Sequence, residues 1–282
     1  MHIIDMHTHT FPDKIAAKAL EKLSKLSGTV YYTNGTEEGL KQSMTNAGIN
    51  YSVILPVATS KEQVESINNT VIEMAPKRLE EGIISFAAMH PDYENPEKEL
   101  ARIAEAGVCG IKLHPAYTAT DFDDDRFVRI LQAAAKNNLA VTVHAGIDIG
   151  IPEKDYCSTQ MILKVIDKIP GLSLILAHMG GWTCWDKVRS DLTGAPLLFD
   201  TSFSFGPIDN RPDRDPASIP SLMTNEEFTD LCHELGTEKI LFGTDSPWAD
   251  QKMSVERFLA LPLEQEEKEQ ILHTNAKKIL RL

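Results

Sequence analysis

Apolar and polar positions along the chain repeat one unit: a short β-rich apolar run, a polar loop, then a stretch whose apolar residues recur every three or four positions. The apolar runs lie at 3–9, 51–57, 83–89, 108–114, 140–144, 173–178, 197–201 and 239–244. Helical spacing is plain at 14–26, through Ile15, Ala19, Leu23 and Leu26, and at 125–137, through Val128, Leu131 and Ala135. Gly48, Gly82 and Gly107 stand where helix gives way to strand, as left-handed C-caps do. Runs alternating with helices over 282 residues predict an α/β fold, a (β/α)8 TIM barrel, with a doubly wound open sheet as the alternative. No Pro/Gly/Ser-rich linker interrupts the pattern, so residues 1–282 are read as one domain.

The barrel reading gives the first run, IIDMHTHTF, a meaning. Residues two apart in a strand share a face, so Asp5, His7 and His9 point inward, His9 nearest the rim where barrel enzymes keep their chemistry. His144 in VTVHAG, His178 in LILAHMGG and Asp245 in LFGTDSPW occupy the same end-of-strand position. An isolated inward histidine is usually a hydrogen-bonded core residue. Imidazoles and a carboxylate at four strand ends instead predict a site for a first-row divalent metal: Zn2+, or Mn2+, Fe2+ or Ni2+.

Composition narrows the partners. A formal charge of −13 opposes binding to nucleic acid or an anionic membrane. No stretch approaches the ~20 apolar residues of a membrane span, and no basic leader precedes the first strand, which predicts a cytoplasmic protein. Cys109, Cys157, Cys184 and Cys232 are widely spaced and are read as reduced thiols. The expected partner is a small-molecule substrate, and the chain is compatible with a homodimer.

DMHTH, VHAG, HMGG and GTDSPW, with the closing ILHTNAKKIL, together resemble the amidohydrolase superfamily. They are most similar to its amidohydrolase-related branch, which includes aminocarboxymuconate semialdehyde decarboxylase. The resemblance implies that His7, His9, His144 and Asp245 hold one zinc, with His178 beside the metal-bound water as catalytic base or electrostatic partner and Asp245 also able to pass a proton. Bottom-up chemistry agrees: three imidazoles and one carboxylate leave a position for water, whose pKa a metal lowers from ~16 to ~7. Asp5, one layer deeper, is expected to fix a ligand tautomer.

Two-metal members of the superfamily carry a carboxylated lysine at the fourth strand end. Here that strand reads GIKLHP, with His114 at the rim and Lys112 one layer lower, so one metal is expected, with Lys112 a buried ammonium paired to a carboxylate such as Asp5. His114 is expected to face substrate, and His90 to cap a turn. DFDDD at 121–125 is a helix N-terminus and not a calcium loop, because Arg126 and Gln132 replace the required Gly and Glu. The stretch 263–270 reads as a solvated helix face, and Thr274 or Asn275 as the cap of the last helix. The long aperiodic connection 202–225 is expected to form a lid: Phe203 and Phe205 cover an apolar part of the substrate, and Arg211 and Arg214 meet a carboxylate unless Asp209, Asp213 and Asp215 neutralise them. Trp182 and Trp248 are expected to line the pocket.

The first functional reading is hydrolysis of a small amide, ester or lactone. The alternative is non-oxidative decarboxylation of a small unsaturated or aromatic acid. A TatD-like nuclease ranks below both, because His114 replaces that family's fourth-strand glutamate and an acidic chain repels DNA. A non-catalytic metal scaffold needs neither an open coordination position nor His178.

Overall fold

A computed structural model describes residues 1–215 and 220–282. Its strands are β1 (Ile4–Thr8), β2 (Tyr51–Ile54), β3 (Ile83–Ser85), β4 (Ala87–Ala88), β5 (Gly110–Leu113), β6 (Ala140–Val143), β7 (Leu174–Leu176), β8 (Leu198–Asp200) and β9 (Ile240–Leu241). All neighbouring pairs are parallel, in the orders β1-β2-β3 and β4-β5-β6-β7-β8-β9. β3 and β4 are one run interrupted at Phe86, whose N–H still donates to Ile54 O at 3.0 Å. At the other edge, Met6 N–H donates to Phe242 O at 2.8 Å and His9 N–H to Ser246 O at 2.7 Å. These bonds lead from β1 back to the chain beyond β9, and the result is an α/β barrel.

Continuous apolar runs form these strands because parallel strands in a barrel are buried on both sides. Helices cover the outside with one apolar stripe each. The helix Asp125–Lys136 buries Phe127, Ile130, Leu131 and Ala134, and each large side chain so buried contributes roughly 1.5–3 kcal/mol. It begins as expected at DFDDD, where Asp124 Oδ1 accepts the Arg126 N–H at 2.9 Å. α1 (Asp13–Ser27) ends at Gly28 with φ 71°, the left-handed cap that favours glycine. The four cysteines are free thiols. No helix among the described residues is long and apolar enough to cross a membrane.

Two local expectations change. The run 239–244 pairs regularly only at Ile240–Leu241, because Phe242 N–H donates instead to Ile271 O and Gly243 N–H to the Thr201 hydroxyl. The last helix, Asn275–Leu280, has no free N-terminus to cap, since the π-helical turn Gln270–Thr274 runs directly into it. Asn275 uses its amide elsewhere, donating to Thr237 O and Ile240 O, both at 2.8 Å.

Candidate metal centre

One cavity at the carboxyl ends of the strands is lined by His7, His9, Lys112, His114, His144, His178, Trp182, Asp245 and Trp248, nine of the residues singled out from sequence. β1 carries His7 and leads into His9, β5 ends just before His114, β6 ends just before His144, and His178 opens the turn after β7. His178 and Asp245 adopt φ of 59° and 68°, conformations costly for residues other than glycine and concentrated at functional sites. Gly243 lets the segment after β9 approach His7, since a Cβ there would lie 2.9 Å from the His7 Cβ.

Hydrogen bonds fix how the rings face. His7 Nδ1–H donates to Asp200 Oδ2 at 2.8 Å, and His9 Nδ1–H donates to Leu55 O at 2.9 Å. Both rings therefore present an Nε2 lone pair, 3.1 Å apart. Asp245 Oδ1 completes the group, 3.2 Å from His9 Nε2 and 3.7 Å from His7 Nε2. Each contributes one ligand atom, and all three atoms lie within 4.8 Å of one another. Burial, with the nearby Lys112 charge, pulls the His7 imidazole down to about 4, so at neutral pH it is an uncharged donor. Burial opposes ionisation of Asp200 and Asp245, but the charge the facing histidines carry when protonated, with the hydrogen bonds they make, outweighs it: Asp200 is held at about 2 and Asp245 well below the usual carboxylate range. Two imidazole nitrogens and a carboxylate oxygen converging on one point fit a divalent cation.

His144, expected as the fourth ligand, falls outside this trio: it groups with His114 and Asp148 and meets His178. His178 Nδ1–H donates to Ser202 O at 2.9 Å, so its Nε2 is a lone pair, 3.0 Å from His144 Nδ1. Without a cation, His144 donates Nδ1–H to that atom. Its own Nε2 then has no hydrogen-bond partner and faces Asp148 Oδ2 at 3.6 Å, lone pair toward carboxylate. A cation on the Nδ1 side relieves this orphan, because the proton then moves to Nε2 and points at Asp148. The orphaned atom is a second observation that the site fits a metal.

His114 also faces Asp148 Oδ2 at 3.6 Å, making a second histidine–carboxylate group with His144. This group suits stacking and not metal. The two rings lie nearly parallel, 15° apart with centroids separated by 4.3 Å, so their lone pairs cannot converge on one ion ~2.0–2.1 Å from each nitrogen. Tyr117 stacks on the opposite face of His114 at 3.8 Å. Both faces of His114 are thus covered, and only its edge meets the cavity.

Two expectations change here. Asp5 touches no imidazole ring: it accepts from Thr244 N–H at 3.0 Å, the Thr244 hydroxyl at 2.6 Å and the Gln251 amide at 2.7 Å, bracing the segment that carries Asp245. The carboxylate that fixes a ligand tautomer is Asp200, which also accepts the Ser202 and His178 backbone N–H groups, both at 3.1 Å. Lys112 pairs with neither carboxylate and reaches His7 Nε2 at 3.4 Å.

The loop residues separate into two groups. Phe203 lines the cavity and accepts, through its carbonyl, the Trp182 indole N–H at 3.0 Å, whereas Phe205 stacks on Phe228 at 4.1 Å. Arg211 turns away to Glu21, Ser24 and Asp213 at 3.4, 3.1 and 3.1 Å, while Arg214 lies against Gly28, outside the cavity lining. Ion pairing with nearby acids thus takes Arg211 from the role expected of it. Residues 216–219 of the expected lid lie outside the described residues. His90 accepts the Asp92 N–H at 3.2 Å, closing a turn as expected.

A parallel α/β barrel with converging imidazole and carboxylate lone pairs at its strand ends defines a class, the barrel enzymes built around a metal-type site. The chain belongs to the amidohydrolase family, whose model matches residues 4–282. It is similar in fold to an uncharacterized TIM-barrel protein from Bordetella bronchiseptica (18% identity, TM-score 0.75, covering 100% of this chain and 99% of that one). It also resembles 5-carboxyvanillate decarboxylase LigW from Sphingomonas paucimobilis (15%, 0.69, 100% and 99%). A third similar structure is a dihydroxybenzoic acid decarboxylase from Polaromonas sp. JS666 with bound manganese and the inhibitor 2-nitroresorcinol (15%, 0.69, 100% and 97%). No curated protein matches the chain.

Proposed function

We propose that this protein is a metal-dependent, non-oxidative decarboxylase of a small aromatic or unsaturated carboxylic acid. The observation that carries the reading is the asymmetry of the cavity. Its floor holds the His7, His9 and Asp245 donors, and its walls include Leu23, Leu26, Trp182, Phe203 and Trp248, which suit a flat apolar body lying over a cation. Similarity in fold to 5-carboxyvanillate and dihydroxybenzoic acid decarboxylases supports it.

His7, His9 and Asp245, with His144, are the residues that would hold the metal, zinc or manganese. A cation bound there supplies Lewis-acid polarisation of a substrate oxygen. The chain supplies the rest. His178 Nε2, a lone pair fixed by the bond from Nδ1–H to Ser202 O, takes up or returns a proton at the substrate edge facing the trio. Trp182, locked by its indole bond to Phe203 O, keeps one wall rigid and excludes water from the reacting carbon.

Hydrolysis, favoured on sequence grounds, is the second reading, because an imidazole with a free Nε2 beside a metal-type trio also suits activation of water. The test is a panel of hydroxybenzoic and unsaturated acids beside amides, esters and lactones, offered to zinc- and manganese-loaded protein. Carbon dioxide from an acid supports decarboxylation; turnover confined to the hydrolysable compounds replaces it with the second reading.

A further inference from the structure

Lys112 lies on β5 at 1% exposure, within the cavity lining, and among the described residues it is the one lysine or arginine there. Its ammonium has a single described hydrogen-bond partner, His7 Nε2 at 3.4 Å. That atom is the lone pair the trio offers to a metal. Once it is so committed, the ammonium keeps three donors and, among the described residues, no protein acceptor. The nearby carboxylates are engaged elsewhere: Asp200 by His7, Ser202 and the His178 backbone, Asp5 by Thr244 and Gln251, Asp245 within the trio beside His7 and His9, and Asp148 facing His114 and His144. A buried cation without a partner is costly, so this one is built to meet an anion that arrives from the cavity.

We propose that Lys112 binds the carboxylate of the substrate, the role expected from sequence of Arg211 and Arg214. The inference rests on the reading of the substrate as a carboxylic acid. Lys112 pairs in register with Ala88 on β4 and Thr142 on β6, one layer below the rim occupied by His114 and His144. The acid end therefore lies at the floor, and the apolar body extends toward Trp182 and Phe203, whose rings stand 6.2 Å apart at 32°.

Calorimetric titration with benzoate and its neutral isostere benzamide tests this, on both metal-free and metal-loaded protein. Wild type binds benzoate more tightly than benzamide in each form. Lys112→Met, with Lys112→Gln as a second variant should the first be insoluble, weakens benzoate at least about tenfold and leaves benzamide unchanged. Arg211→Ala changes neither. Equal affinity for the two compounds in metal-free wild type, equal losses for both in the variants, or a benzoate Kd above about 10 mM in wild type overturns the assignment. Metal loading that rises with added bicarbonate and falls in Lys112→Met also overturns it, since the amine is then a carbamate. Carbon dioxide release is not read here, so failure of the decarboxylase reading and failure of this assignment are told apart.

Discussion

His7 and Asp200 stand 193 residues apart in sequence and share a buried 2.8 Å hydrogen bond from Nδ1–H to Oδ2. The bond settles which nitrogen of His7 faces the cavity, and so whether a cation can be held at all. Asp200→Asn is expected to lower metal affinity about 10–100-fold, measured by competition with a coloured chelator. Unchanged affinity would mean that the ring is oriented by Ser202 alone, whose hydroxyl also lies 2.9 Å from Nδ1.

Converging lone pairs on His7, His9 and Asp245, with His144 alongside, predict close to one tightly held divalent cation per chain. Elemental analysis of purified protein should show it, and Asp245→Asn or His144→Ala should lose most of it. Two tightly held ions per chain would contradict the single-site assignment.

His178 is assigned a proton and not the metal, because Ser202 O fixes its Nδ1–H and its Nε2 stands beside the trio. His178→Asn should retain metal while turnover falls ~10²–10⁴-fold. Loss of metal in proportion to activity would make His178 a ligand.

Metal-free protein should weaken in acid. Burial holds His7, His114, His144 and His178 below the ordinary imidazole value, His7 at about 4. Between that value and ~6.5 the unfolded chain binds more protons than the folded one. Their contribution is therefore complete above ~6.5 and is lost as pH falls toward about 4. Asp5 and Asp148, each pushed up by burial to about 6, and Asp155, raised by burial, act in the opposite direction over part of the range, and the four histidines outweigh them. A melting temperature at pH 5 equal to or above that at pH 7.5 would contradict this.

The barrel and most of its floor were legible because their signals are local. Period-two placement put His7 and His9 on one face, and end-of-strand position gathered His114, His144, His178 and Asp245. Asp200 carried the same positional signal at the end of its apolar run, yet the choice between Asp5 and Asp200 as the partner of an imidazole depends on a contact across the barrel that no spacing records. Asp148 lies in a loop and Tyr117 in the single 3-10 turn Ala116–Thr118, neither long enough to show a period, and their roles come from stacking and packing. Arg211 shows the converse: a cation in a rim loop invites a substrate role until Glu21, 190 residues away, is seen to engage it.

The most direct test of the account is the fate of label when metal-loaded enzyme turns over its first active acid in ¹⁸O-labelled water. Decarboxylation predicts one equivalent of carbon dioxide for each acid consumed and a C–H bond where the carboxylate stood, with no ¹⁸O in the organic product. Label entering the product at a cleaved C–O or C–N bond, without carbon dioxide, would contradict it and establish hydrolysis.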